Sequence, residues 1–142
     1  MSDELAKRAI ACKGWRWLPG MLGCEPLPYI DNDGSEVWYG GEHYRVTDAP
    51  GLDVIRMELR ETFGVTRYLV PVLTDPCTLG GLLHLVREAW GEPSVFARPF
   101  GGGTWQCWYW RDDGQVWPCG DLAVQSPATE AEALVAALEG AP

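Results

Sequence analysis

The sequence predicts an α+β fold in which antiparallel sheets of short hairpins pack against two to four helices. Three observations lead there. Two stretches, 75–90 and 127–139, carry helix start signals, an apolar stripe and a glycine stop in the right order. Aromatic and β-branched residues crowd the segments between Gly, Pro and Asp turns. Finally, connections such as Gly101-Gly-Gly103 and Asp112-Asp113-Gly114 are so short that the strands they join must run antiparallel.

Taken in order, Ser2 to Lys13 opens on a capping residue, has Asp3 and Glu4 in its first turn, and places Lys7, Arg8 and Lys13 ahead of Gly14. These suit the helix dipole, and Leu5, Ala9 and Cys12 share one face, so a short helix is expected. From Trp15 to Tyr44, Pro19-Gly20, Gly23, Pro26, Pro28 and Gly40-Gly41 cut the chain into short strands. Within it, Tyr29-Ile-Asp-Asn-Asp-Gly34-Ser-Glu-Val-Trp38 reads as a hairpin with an Asp-Gly corner.

Residues 52–63 carry two patterns. Leu52, Ile55, Leu59 and Phe63 fall on one side of a helix ending at Gly64, whereas Ile55, Met57 and Leu59 alternate with Arg56, Glu58 and Arg60 as in a strand. Length and the terminal glycine favour the helix. Val65 to Leu73, with Pro71, reads as an edge strand or an extended connection.

The strongest helix is next. Thr74 or Asp75 caps it, Pro76 suits its first turn, Gly91 ends it, and Leu79, Leu82, Leu83, Val86, Ala89 and Trp90 form a wide apolar face. Ser94–Phe100, Thr104–Trp110 and Gln115–Pro118 then read as a three-stranded meander. In the last helix Thr129 and Glu132 have capping-box spacing, and Ala131, Leu134, Val135 and Leu138 share a face before Gly140.

The segments 29–38 and 109–117 match at Tyr, Asp, Gly, Val and Trp with one residue inserted in the first, and each follows a helix. They suggest an αβββ pseudo-repeat; convergence of two hairpins on the same turn and pairing residues explains the match equally well. The 142 residues, 46% hydrophobic and 22% charged, fit a single domain. Its halves would be 1–47 and 74–142, with 48–73 between them.

Composition excludes several functions. A net charge of −9 and the lack of a basic stripe oppose nucleic-acid binding, which draws on phosphate neutralisation. No apolar run approaches the roughly 18 residues of a membrane span, and the first residues lack signal-peptide features, so a cytoplasmic chain is expected. Five cysteines, an odd number with no Cys-x-x-Cys, read as reduced buried thiols. His43 and His84 lie far from any cysteine, and Asp31, Asp33, Asp112 and Asp113 lack the distal Glu of a calcium loop, so no metal or cofactor is expected. Gly101-Gly-Gly103 has no following Lys-Ser or Lys-Thr and is a turn.

The remaining signal is aromatic. Eight tryptophans occur in the chain, four of them in Trp105-Gln-Cys-Trp-Tyr-Trp110-Arg-Asp-Asp-Gly-Gln-Val-Trp117. On a strand, Trp105, Cys107 and Tyr109 point one way and Gln106, Trp108 and Trp110 the other. Cys107 with His84 makes a thiol and base pair on paper only, since nothing in the spacing joins them, and no catalytic residue is assigned. The candidate binding residues are Trp105, Trp108, Trp110, Arg111, Asp112, Asp113 and Trp117, with Trp38 of the earlier hairpin; Trp105 or Trp108, with its same-face neighbours, should present an exposed patch.

Two segments, Leu73 to Gly91 and Ala128 to Glu139, resemble small accessory proteins of tailed bacteriophages and prophages. Their spacing is similar to the small helix, antiparallel sheet and helix unit known as a phage sandwich domain. The resemblance spans residues 73–142, about half the chain, and rests on helix-forming and capping residues. It implies a phage origin, an α+β fold and the cytoplasm of a bacterial host, and it carries no catalytic residue. The expected function is a non-enzymatic binding protein that engages a host protein through an aromatic patch rimmed by Asp and Glu. The alternative is a small-ligand or nucleotide-signal sponge in which tryptophan rings stack on a base, with Arg98 and Arg111 for its phosphates.

Overall fold

Turn chemistry and apolar alternation produce three helices and ten short strands among the described residues of the computed structural model, which are 3–24, 27–30, 36–39, 43–46, 60–62, 65–67, 70–120 and 127–142. They belong to two compact units, Met1–Arg16 with Leu79–Pro142, and Trp17–Thr78. The first helix thus groups with the C-terminal elements rather than with the hairpins that follow it in sequence. The α+β class expected from the sequence is the class observed. Among the described residues no helix is long and apolar enough to cross a membrane.

In the Trp17–Thr78 unit, β1 (Leu22–Cys24) pairs antiparallel with β4 (His43–Arg45), and β2 (Leu27–Ile30) with β3 (Glu36–Tyr39). The expected hairpin is present in β2 and β3; its Asp-Gly corner lies outside the described residues. Leu22 opposes Arg45 whereas Leu27 opposes Tyr39, so the register slips by one residue between the two ladders. β5 (Arg60–Thr62) pairs with β6 (Val65–Arg67). This corrects the helix expected over 52–63: residues 60–62 are a strand. Residues 52–59, 63 and 64 lie outside the described residues. The β-branched Thr62, Val65 and Thr66 suit the pairing better than a helix end.

β7 (Val70–Pro71) completes the order β4-β1-β7, its proline on an outer strand where the missing N–H is tolerated. Met21, Val46, Val70, Pro71 and Leu73 are buried here. One polar network fixes the unit. Asp75 Oδ2 accepts from the backbone N–H of Thr78 and from its hydroxyl, both at 3.0 Å, while Thr78 Oγ1 accepts from Leu22 N at 2.8 Å. Arg45 donates to both oxygens of Asp75 and to Gly20 O. Asp75 is therefore the helix cap the sequence suggested and also the anchor of β4.

In the other unit, α1 (Asp3–Ala11) lies against α3 (Glu130–Glu139), bridged by the Arg8–Glu139 ion pair. α2 (Pro76–Trp90) ends in a Schellman motif. Gly91, at φ +63°, donates to Glu88 O and Glu92 donates to Arg87 O. Thr129 caps α3 by accepting from Glu132 N at 3.1 Å, and the Glu132 carboxylate reaches back to Ala128 N at 2.6 Å.

The meander is β8 (Phe96–Pro99), β9 (Trp105–Trp110) and β10 (Val116–Pro118), ordered β10-β9-β8. Gly101, Gly102 and Gly103 all take positive φ, so another residue at any of these three positions of the β8–β9 connection would be strained. The matched letters of the two hairpins do not occupy equivalent rungs. Tyr29 opposes Val37, but Tyr109 opposes Trp117.

Arg45 beside it, with the two hydrogen bonds from Thr78, holds the Asp75 carboxyl below its ordinary range. A depressed carboxyl contributes stability that is present above its unfolded value, near 4, and lost as pH falls through the folded value. Asp75→Asn should therefore be less stable than the parent in urea at pH 7, with the gap narrowing toward pH 3. An equal gap at both pH values contradicts the network.

Candidate functional site

β9 is the middle strand, so its alternation sorts the aromatic cluster onto two faces. The first face holds Trp105, Cys107 and Tyr109, joined across the ladders by Pro99, Ala97 and Trp117. α3 crosses β8 and β9 on this side, burying Ala133, Leu134 and Ala137. Tyr109 stacks on Trp90 of α2 with centroids 6.2 Å apart, and Trp90 Nε1 donates to Ala137 O at 2.7 Å. Trp105 is half-buried, its backbone N–H donating to Pro127 O. This face is core.

The second face holds Gln106, Trp108 and Trp110 of β9 with Phe96 and Arg98 of β8, Val116 and Pro118 of β10, and Phe100 just beyond β8. The rings form a row. Phe96 lies 6.3 Å from Trp110, and Phe100 lies 5.5 Å from Trp108. The Arg98 guanidinium sits over both Trp108, at 5.3 Å, and Phe96, at 5.7 Å. Trp110 and Phe100, at opposite ends, are 52% and 51% exposed, whereas Trp108 between them is 9% exposed. The patch expected around Trp105 or Trp108 is carried by the neighbours of Trp108, since Arg98 and Phe100 contact the Trp108 ring. Its Nε1–H is buried with no hydrogen-bond partner among the described residues.

At the Trp110 end the chain turns through the Asp112-Asp113-Gly114 corner. Trp110, Arg111, Asp112, Asp113 and Glu92 line an open depression of about 310 Å3. Three carboxylates and one guanidinium leave it acidic. Arg111 lies 4.5 Å over the Trp117 ring, and Trp117 is 42% exposed. Asp113 accepts from Gln115 N at 3.0 Å, the ordinary work of a turn aspartate, while Asp112 is exposed. Ser94 extends the β8–β9 ladder by accepting from Trp110 N at 3.1 Å.

Of the residues named from sequence, the structure brings Trp110, Arg111, Asp112 and Asp113 together at one end of the meander, with Trp108 at the centre of the same face and Trp105 and Trp117 on the helical face. Trp38 belongs to β3 in the other unit. The reading missed Glu92, Phe96 and Phe100. The spacing Phe96, Arg98, Phe100 is the alternation of a strand, and it identifies the face once β8 is placed beside β9.

Other chemistry finds little support. Among the described residues no group of three or more His, Cys, Asp or Glu is placed to hold a metal ion. Burial, aided by Cys119 and Glu130, pushes the Cys107 thiol up to about 12, and burial with Glu92 does the same for Cys119. His84 is exposed on α2 beside Glu88. A second depression, of about 590 Å3, is lined by Arg8, Cys12, Gly14, Ala89, Leu138 and Glu139, among others, and its Arg8 is already tied to Glu139.

Searches against protein-family models, curated proteins and solved structures return no match.

At pH 8 a thiol that ionises near 12 is roughly one part in ten thousand thiolate. Exposed Cys77 should react rapidly with a disulfide reagent in the folded protein, and Cys107 and Cys119 only on unfolding. Mass mapping of the labelled peptides checks this, and fast labelling of Cys107 contradicts its placement beneath the helices.

Proposed function

We propose that the chain is a non-enzymatic binding protein that engages a protein partner through the second face of the meander. The observation that supports this reading is the row from Trp110 to Phe100, whose two end rings are half exposed on the sheet face that α3 does not cover. Aromatic rings and Arg are the side chains that dominate protein interfaces. A row spread along a sheet suits a protein surface better than an enclosed small molecule, which wants a concave pocket that buries most of its area. Residues 73–142 resemble phage accessory proteins, and a protein of the bacterial host is accordingly the partner class proposed, with the cytoplasm as the place of action.

Magnitudes set what else is needed. A large aromatic buries about 200 Å2. Covering the exposed halves of two such rings therefore gives roughly 5 kcal/mol at about 25 cal/mol per Å2. Association costs about 4–15 kcal/mol before any surplus appears. The rings alone sit at the low end of that cost, so an effective complex has to use the polar groups around them.

A second reading, a sponge for a nucleotide signal, draws on Arg98 lying over Trp108 and Phe96. The three carboxylates beside Trp110 count against it, because they repel phosphates.

The test is retention from bacterial lysate on immobilised protein, comparing the parent with Phe100→Ala/Trp110→Ala. The parent should hold a protein that the double variant loses, both chains having the same circular dichroism. Identical retention by the two overturns the reading. A rise in Tm with a member of a nucleotide panel, abolished by Arg98→Ala and accompanied by no retained protein, favours the sponge.

A further inference from the structure

We infer that the partner meets this face with a positively charged side chain, arginine or lysine, seated on Trp110 between Glu92, Asp112 and Asp113, and with an apolar residue of the same extended segment against Phe100. This rests on the protein-binding reading above and names the chemistry of the partner.

Charge complementarity is the first ground. The exposed ring of Trp110 lines the depression together with three carboxylates, while its one cation, Arg111, is drawn over Trp117. A cation over a tryptophan face is attracted by the ring quadrupole, and nearby carboxylates add to that attraction. An anion at the same place meets both repulsions. The whole chain, at −9, adds a field of the same sign, which steers basic partners and opposes a second copy of the chain as occupant.

The second ground is independent of the acidic cluster. The row is reachable at both ends, Trp110 and Phe100 being 52% and 51% exposed, and the exposed Arg98 guanidinium lies across Phe96 and Trp108 between them, a donor for a backbone carbonyl of an extended segment.

Dimensions set the length of the segment. Phe96 and Phe100 are four residues apart along an extended chain, about 13 Å at 3.3 Å per residue. Trp110 extends the row beyond Phe96. Five or six extended residues of the partner therefore span it, with the cation at one end and the apolar residue at the other.

The probe is an acetylated and amidated heptapeptide with one arginine and one leucine separated by four glycine or serine residues. A second peptide carries citrulline for arginine, which keeps the shape and removes the charge. Both are titrated into the full chain while the indole N–H signals are followed by NMR, that of Trp110 assigned with Trp110→Phe. The arginine peptide should shift the Trp110 signal and bind about fivefold tighter than the citrulline peptide. Asp112→Asn should erase most of that preference, and Glu4→Gln, the same charge change on exposed α1, should leave it intact.

Equal affinity of the two peptides overturns the inference, as does an arginine peptide that leaves Trp110 unshifted. So does an equal effect of Glu4→Gln and Asp112→Asn, which makes the preference one of total charge. Concentration-dependent dimerisation lost in Phe100→Ala/Trp110→Ala also overturns it, by making a second copy the occupant. A lysate protein retained by the parent and lost by the double variant, alongside equal peptide affinities, sinks this inference and leaves the protein-binding reading standing.

Discussion

Trp90 closes the helical side of the meander by two contacts made at once. Its Nε1–H donates to Ala137 O at 2.7 Å and its ring stacks on Tyr109, so the end of α2, the middle of α3 and the central strand are held by a single side chain. The position of Trp90 is itself set by the chain, because the Gly91 reversal stops α2 one residue later. Around it, Leu82, Leu85, Val86, Leu134, Val135 and Leu138 are fully or almost fully buried. Gly14 adds a steric condition. A Cβ there would meet Leu138 at 3.1 Å and Ala89 at 3.4 Å, so a side chain on the chain leaving α1 would require Leu138 to give way at the same junction.

Once one face of β9 is committed to the helices, strand alternation leaves the other without them. Gln106, Trp108 and Trp110 have no choice of side, and register brings Phe96 and Arg98 beside them. The outcome differs along the row. Trp108 loses its exposure to Arg98 and Phe100, whereas the two end rings keep about half of theirs. Trp90 Nε1–H is satisfied by Ala137 O, whereas Trp108 Nε1–H is buried with no partner among the described residues.

Much of the fold was legible because its signals are local. Asp75, Gly91, Thr129 and Glu132 act as the caps and stops their spacing suggested, and the three-residue turns at 101–103 and 112–114 fix the meander. The strand at 60–62 was misread for the same reason it was ambiguous: the 52–63 window fits both periods, and the partner that decides between them, 65–67, lies beyond that window. For the site, alternation sorted the β9 rings into two sets but did not say which set the helices take. That depends on α3 crossing the sheet, which no residue of β9 encodes. Phe96 and Phe100 were overlooked because their value comes from standing beside Trp108. The matched letters of the two hairpins sit on different rungs, Tyr29 opposite Val37 and Tyr109 opposite Trp117, a register that the letters alone do not carry.

The central claim is that the second face of β9 divides into an accessible end ring, Trp110, and a covered central ring, Trp108, while Trp90 is clamped on the helical side. Relaxation of the indole N–H protons by a soluble gadolinium chelate reads that division directly. Trp110 and Trp117 should relax fast, and Trp90 and Trp108 slowly, in the full chain without any partner. Relaxation of Trp110 as slow as that of Trp90 contradicts the claim.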